Sequence, residues 1–215
     1  MPDNDGSMAA VAVDVLAFVR GALPPAPARV LEIGAGGGEL AAELRDAGYD
    51  VCAIDPSAAD GSGVERATLL EARGTFDAAV AVVSLHHVEP LGESCAHLAS
   101  LVLPGGALVI DEFDVARLDE RAAAWWLNQR RALGRDDQHD PDSLIGAMRQ
   151  HVHRLPVIVE ALLPCFALGA PVPGPYLHRW NLETGLRDVE ERLIAAGRLP
   201  ALGARLVGER RATIA

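Results

Sequence analysis

The sequence predicts a doubly wound α/β domain with a mostly parallel sheet, and three observations carry that prediction. Short aliphatic runs alternate with helical stretches in the order strand, helix, strand. Half the residues are hydrophobic but only 4% are aromatic, so the core is built from Val, Leu, Ile and Ala, as in strands buried on both faces. The first aliphatic run passes directly into a glycine turn that opens a helix: Val30-Leu31-Glu32-Ile33-Gly34-Ala35-Gly36-Gly37-Gly38-Glu39-Leu40. At 215 residues the chain suits one domain, large enough to fold on its own core.

Each element follows from local pattern. Residues 1–7 read as frayed. Ser7 can cap a helix to about Arg20, with Val11, Val15, Phe18 and Val19 sharing a face. Leu23-Pro24-Pro25-Ala26-Pro27 stops it and forms a stiff linker. Arg29 to Ile33 is the first strand, Glu39 to Ala47 a helix ended by Gly48, and Val51 to Ile54 the second strand, closed by Asp55-Pro56. A third strand is expected around Ala67 to Leu70, a buried one from Phe76 to Leu85, and a helix over 90–103 stopped by Pro104-Gly105-Gly106. Ala107 to Phe113 is the next strand. Beyond it the pattern turns helical: 115–133 with Trp125 and Trp126, then one or two helices within 141–165. A Pro-rich stretch over 166–177 holds a possible edge strand, followed by an amphipathic helix over 183–196 and a last strand from Ala204 to Glu209.

Charge narrows the partners. The formal net charge is -11, which repels nucleic-acid phosphates and anionic membrane surfaces and favours a small-molecule substrate. All basic residues are Arg, so Schiff-base chemistry and the phosphate-loop lysine are excluded. Cys52, Cys95 and Cys165 form no CxxC pair, which fits a reducing compartment and no structural zinc. The acidic, polar start lacks the features of a secretion signal, and Asp14 breaks the longest early apolar run, so a cytoplasmic protein without a membrane span is expected.

The glycine turn lies where open α/β sheets bind ligands, at the carboxyl ends of the strands. A dinucleotide prefers G-x-G-x-x-G, but the third glycine would fall at position 39, which is Glu, and a carboxylate there opposes a pyrophosphate. The pattern present is Glu32, Gly34, Gly36 and Gly38. It suits a ligand without phosphate that carries positive charge, such as the sulfonium and ammonium of S-adenosyl-L-methionine. Asp55, at the end of the second strand, can accept two ribose hydroxyls, a feature that a nicotinamide cofactor would share.

These segments resemble class I S-adenosylmethionine-dependent methyltransferases. VLEIGAGGGEL looks like their first motif and AIDPS like their second-strand motif. FDAAVAVVSLHHVE resembles the fourth-strand motif and LVLPGGALVIDEF the fifth, so the match covers about residues 28–114 in the right order. The resemblance implies a Rossmann-like, seven-stranded sheet with its last strand antiparallel and a helical insertion near the C-terminal part. It implies that Glu32, Gly34, Ala35, Gly36 and Gly38 wrap the methionine part, that Asp55 and Pro56 hold the ribose, and that Ser84, Leu85, His86 and His87 border the transferred methyl. The family's longer second crossover and its Gly-Asp-Ala step are missing here. Leu70 and Glu71 stand as the nearest candidates for adenine contacts, and the helix after the second strand is expected to be lost or reduced.

Methyl transfer needs alignment and exclusion of water, and a general base only if the nucleophile arrives protonated. His86 and His87 are the candidate bases. Glu112, Trp126, Tyr176 and His178 are candidate substrate contacts, with the segment around Tyr176 as a possible lid. His139, His151 and His153 lack a ligating spacing and read as surface histidines, so no metal is expected. The expected organisation is one domain over 1–215: an N-terminal helix and linker (1–27), a cofactor-binding core (28–114), substrate-pocket helices and lid (115–180), and a C-terminal helix and strand (181–215). Two other readings share this sheet: an NAD(P)-dependent oxidoreductase, and a non-catalytic S-adenosylmethionine-binding module.

Overall fold

The computed structural model describes residues 13–135, 139–182 and 184–212. The expected Ser7 cap lies outside the described residues.

Four parallel strands form one side of a single sheet. They are β1 (Arg29–Ile33), β2 (Asp50–Ile54), β3 (Phe76–Val82) and β4 (Val102–Phe113). The sheet order is β2-β1-β3-β4-β7, where β7 (Gly203–Arg210) runs antiparallel to β4. The outer edge of β7 carries two short strands, β5 (Phe166–Leu168) and β6 (Val172–Gly174). The chain reverses between β1 and β3, so the carboxyl ends of those strands form the ligand edge.

Alternation within each buried strand supplies both faces. Val30, Val80 and Val109 meet α1 (Val13–Ala22) and α2 (Glu39–Asp46) on one side. Leu31, Ala79, Leu108 and Ile110 meet α3 (Leu91–Leu101) and α6 (Leu155–Leu162) on the other. The insertion has its own core. It is formed by α4 (Glu120–Ala132), α5 (Pro141–His151) and the turn over 177–179, around Phe113, Trp126, Leu127 and Leu177. The helix α7 (Arg187–Ala195) then leads back to β7.

Two expectations need correction. Residues 67–70 form no strand; only Glu65 bridges Ile54. Ala67 and Leu69 are buried beneath α3 as irregular chain, and that burial produced the strand-like alternation. No helix follows β2, as the short crossover implied. The Pro104-Gly105-Gly106 step ends no helix. It lies inside β4, which starts at Val102 and absorbs the step as an irregularity in its pairing with β3. Gly106 is needed there, since a Cβ would sit 2.7 Å from the Asp77 carbonyl oxygen.

Candidate active site

The glycine turn wraps the end of β2. The amides of Gly34 and Ala35 both donate to the Ile54 carbonyl, and Gly38 donates to Ala35. Gly34, Gly36 and Gly38 all have positive φ, a region open to glycine and costly for other residues. Gly34 and Gly38 are also crowded: a Cβ would strike Ser84 Cβ at the first and Val64 at the second. At Gly36 a Cβ would meet open space, which is the space a ligand would fill.

Two carboxylates flank this turn. Glu32 is 4% exposed, and its Oε2 is sealed from solvent without a hydrogen-bond partner. Its other contact is the Ala41 amide in the first turn of α2. Burial pushes the Glu32 pKa up to about 8, against the pull of Arg45 and with some help from Glu39 and Asp55. Such a group is matched by a cation brought beside it. Asp55 accepts from Gly36 N at 3.0 Å through one oxygen and from Ser57 N at 2.7 Å through the other. Each oxygen keeps a second lone pair, enough for two ribose hydroxyls. Pro56 is exposed beside it. A Cβ at Gly37 would collide with the Glu39 carboxylate, so negative charge folds back over the turn where a pyrophosphate would lie. That opposes the dinucleotide reading.

Beyond β3 the chain turns sharply. Val83 has φ 53, rare for a β-branched residue, and its amide donates to Asp111 O at 2.7 Å. The next residues form a one-turn 3-10 helix over 85–87, held by Glu112. One Glu112 oxygen accepts from Ser84 N at 2.8 Å and Leu85 N at 2.6 Å; the other meets His86 Nδ1 at 2.7 Å and Phe113 N at 3.0 Å. Glu112 is fully buried and its oxygens are taken, so the expected substrate contact gives way to a clamp. Ser84 Oγ donates to Ile33 O at 2.7 Å, which seats the turn on β1. Leu85 is buried in the core.

A second clamp has the same form. Tyr176-Leu177-His178-Arg179 makes another 3-10 turn, and buried Glu190 of α7 accepts from the amides of Tyr176, Leu177 and His178 and meets His178 Nδ1 at 2.8 Å. Burial opposes charge on Glu190, but these bonds outweigh it and hold the pKa below the ordinary carboxylate value. Asp111, next to Glu112 on β4, anchors this second turn: it pairs with Arg179 at 2.6 Å and Arg205 at 2.9 Å. Arg205 continues to Asp14 of α1 at 2.6 Å. Adjacent carboxylates on one strand therefore fasten the two turns of the ligand edge.

The remaining candidates are placed as follows. Trp126 is buried, stacks on Trp180 at 4.2 Å and donates to the Trp180 carbonyl; Trp125 is the half-buried member of the pair. Tyr176 stacks on Phe113 at 4.7 Å, and burial pushes its hydroxyl pKa up. Trp126, Tyr176 and His178 thus build the insertion's core, where direct acceptor contact was expected. Glu71 is exposed, one of its oxygens accepts from the Thr68 amide and hydroxyl, both at 2.8 Å, and Leu70 beside it is half-buried. His151 and His153, read as surface residues, border a cavity with His86 and His87. Sequence reasoning also missed Arg179, Glu190 and Val83; only the repeated Leu-His of 85–86 and 177–178 hinted at the paired turns. Among the described residues no group of three or more His, Cys, Asp or Glu is placed to hold a metal ion.

Comparison with known proteins agrees with this geometry. A family model described as a methyltransferase domain matches residues 7–191. The chain is similar in fold to an S-adenosylmethionine dependent methyltransferase from Mesorhizobium loti (TM-score 0.59, 17% identity, 92% of this chain and 96% of that one). It is also similar to the 1,6-didemethyltoxoflavin-N1-methyltransferase of Burkholderia thailandensis, solved with 1,6-didemethyltoxoflavin and S-adenosylhomocysteine (TM-score 0.53, 20% identity, 92% and 75%). A third is the N-methyltransferase NodS of Bradyrhizobium japonicum, in complex with S-adenosylhomocysteine (TM-score 0.53, 15% identity, 91% and 84%). No curated protein matches the chain. With most of its length covered by the family model, a Rossmann-like sheet and a phosphate-averse glycine turn, the chain belongs to the methyltransferase-domain family, as a class I S-adenosylmethionine-dependent enzyme.

Proposed function

We propose that the chain methylates a small-molecule acceptor by in-line displacement, with Glu32 and the glycine turn holding the methionine part of S-adenosylmethionine. The observation that carries this is the sealed, unpartnered Oε2 of Glu32 beside three left-handed glycines. Gly34, Ala35, Gly36 and Gly38 give the backbone a close approach, and Asp55 with Pro56 faces the ribose. Ser84 and Leu85 form the wall of the turn beyond β3. When bound, S-adenosylmethionine supplies a methyl on positive sulfur that passes to an acceptor lone pair while the S–C bonding pair stays on sulfur.

His86 takes the acceptor's proton. Its Nδ1 faces the Glu112 carboxylate and carries the hydrogen, which leaves Nε2 as the base. His86 borders the cavity beside this turn. His87 lies beside it, ring centroids 4.1 Å apart. Partial burial, then the neighbouring His86 imidazole, hold the His87 pKa below the ordinary value. His86→Gln should lower kcat about 100-fold, with S-adenosylhomocysteine affinity unchanged by calorimetry. Full turnover in that variant would remove the base role.

The reading as a whole is tested by incubating the protein with methyl-labelled cofactor and a panel of small phenols, amines and carboxylic acids. Label should reach an acceptor. Tight cofactor binding with no transfer across the panel would favour the non-catalytic module. No helix among the described residues is long and apolar enough to cross a membrane, and Cys52, Cys95 and Cys165 are free thiols, which supports a cytoplasmic setting.

A further inference from the structure

A cavity of about 260 Å³ lies between the turn after β3 and the end of α5, bordered by His86, His87, Glu89, Arg149, His151 and His153. Four of the chain's seven histidines meet here, in a protein of net charge -11. The wall is tied together by the His153 amide, which donates to the His86 carbonyl at 2.9 Å. Ser84, two residues earlier in the same turn, packs against the glycine turn, so His86 stands between that turn and this cavity.

The ring hydrogen bonds decide what the cavity can recognise. His86 Nδ1 faces Glu112, and His151 Nδ1 lies 2.7 Å from Ala147 O, so in a neutral ring each carries its hydrogen on Nδ1 and leaves Nε2 as an acceptor. His153 Nε2 meets Val88 O at 3.2 Å and Glu89 at 2.9 Å, so its hydrogen is on Nε2 and Nδ1 is the acceptor. In their neutral forms these three imidazoles each keep a lone pair with no protein partner among the described residues. An occupant that matches them must donate hydrogen bonds.

Charge separates the kinds of donor. Arg149 keeps a positive charge at the wall, donating one N–H to Leu118 O at 3.1 Å. The cavity's carboxylate, Glu89, is already paired with His153. A protonated amine would therefore meet the Arg149 cation, while the Glu89 charge is largely solvated, its side chain being 72% exposed. A hydroxyl acceptor suits both features: its O–H groups donate to the imidazoles, and Arg149 favours the oxygen that loses its proton. The volume falls below the roughly 300–1,000 Å³ of sites for drug-sized ligands, which calls for a compact molecule.

We propose that this cavity is the acceptor subsite and that it takes a compact polyhydroxylated acceptor of the catechol type, methylated on oxygen. The inference rests on the methyltransferase reading and deepens it. The test is calorimetry with the protein saturated by S-adenosylhomocysteine, titrated with catechol, 1,2-dimethoxybenzene and benzylamine. Catechol should bind at least tenfold more tightly than either control. Exposed His151 is the safest position to alter: His151→Leu should weaken catechol at least fivefold and leave S-adenosylhomocysteine affinity and Tm unchanged. Arg149→Met should weaken it similarly, at a Tm followed in parallel. Equal affinity for the dimethoxy compound, tighter binding of benzylamine, or an unaltered catechol affinity in both variants would overturn the subsite. Failure of S-adenosylhomocysteine itself to bind would instead strike the methyltransferase reading.

Discussion

Glu112→Ala is expected to be the most damaging single substitution at the ligand edge. The carboxylate is fully buried and receives Ser84 N, Leu85 N and Phe113 N besides facing His86 Nδ1. Removing one partner of a buried charged network leaves the others unpaired, a loss of about 3–5 kcal/mol. In a chain of this size that corresponds to a fall in Tm of roughly 10 °C. The strained Val83 would also lose the neighbour that holds its turn, so the loop between the glycine turn and the histidine cavity should become mobile. Glu112→Gln keeps the shape but turns one acceptor into a donor against His86 or Phe113, and should fall between Ala and wild type. Thermal denaturation followed by circular dichroism checks this series. A drop under about 2 °C for Glu112→Ala would show that the clamp is not what shapes the edge.

The second large effect separates folding from binding within five residues. Gly34→Ala introduces a Cβ against Ser84 Cβ at a φ of +69°, and Ser84 cannot yield without breaking its bond to Ile33 O. Left-handed backbone alone costs a non-glycine residue about 1–2 kcal/mol, and the collision adds to it. Gly36→Val has φ +54° but no neighbour within 4 Å. It should lose only the backbone cost of about 1–2 kcal/mol, stay folded, and still fail to bind S-adenosylhomocysteine because its side chain occupies the ligand's space. Paired melting curves and titrations decide the matter. Retained binding in Gly36→Val would mean the open space above that residue is not the cofactor's.

Much of this arrangement was legible in residue order because it rests on local rules. Positive φ at Gly34, Gly36 and Gly38 demands glycine, and aliphatic runs such as Phe76–Val82 read as strands buried on both faces. The missing helix after β2 followed from the 20 positions between Asp55 and Phe76. What stayed hidden is tertiary. Glu112 reaches a turn 26 residues before it, and Glu190 a turn 12 residues before it, so nothing local marks either as a clamp. Trp125 and Trp126 are neighbours, and only the position of Trp180 decides which is buried. Ala67 and Leu69 alternate like a strand because they share a core with α3, yet beyond Glu65 they gain no strand partner. His151 and His153 have no ligating spacing, and their company with His86 rests on tertiary contacts such as the His153 amide to His86 carbonyl bond across 67 residues.

The pKa of Glu32 gives the account its most direct test. At about 8, the carboxyl is protonated in the empty site at pH 7, whereas in the unfolded chain it ionises near 4.5. Folding stability from this group is therefore full below pH 4.5 and falls as pH rises toward 8. A cation seated against Oε2 favours the ionised form, so binding must expel the proton, and affinity must rise with pH up to about 8 and level off above it. The measurement is titration calorimetry with S-adenosylmethionine at pH 7 in two buffers of different ionisation enthalpy. The expected result is saturable binding with release of most of one proton per site, and a Glu32→Gln variant that releases none and binds about tenfold or more weakly. Binding heat that is identical in both buffers, or no binding at all, would contradict the assignment of Glu32 as the carboxylate that meets the cofactor's positive charge.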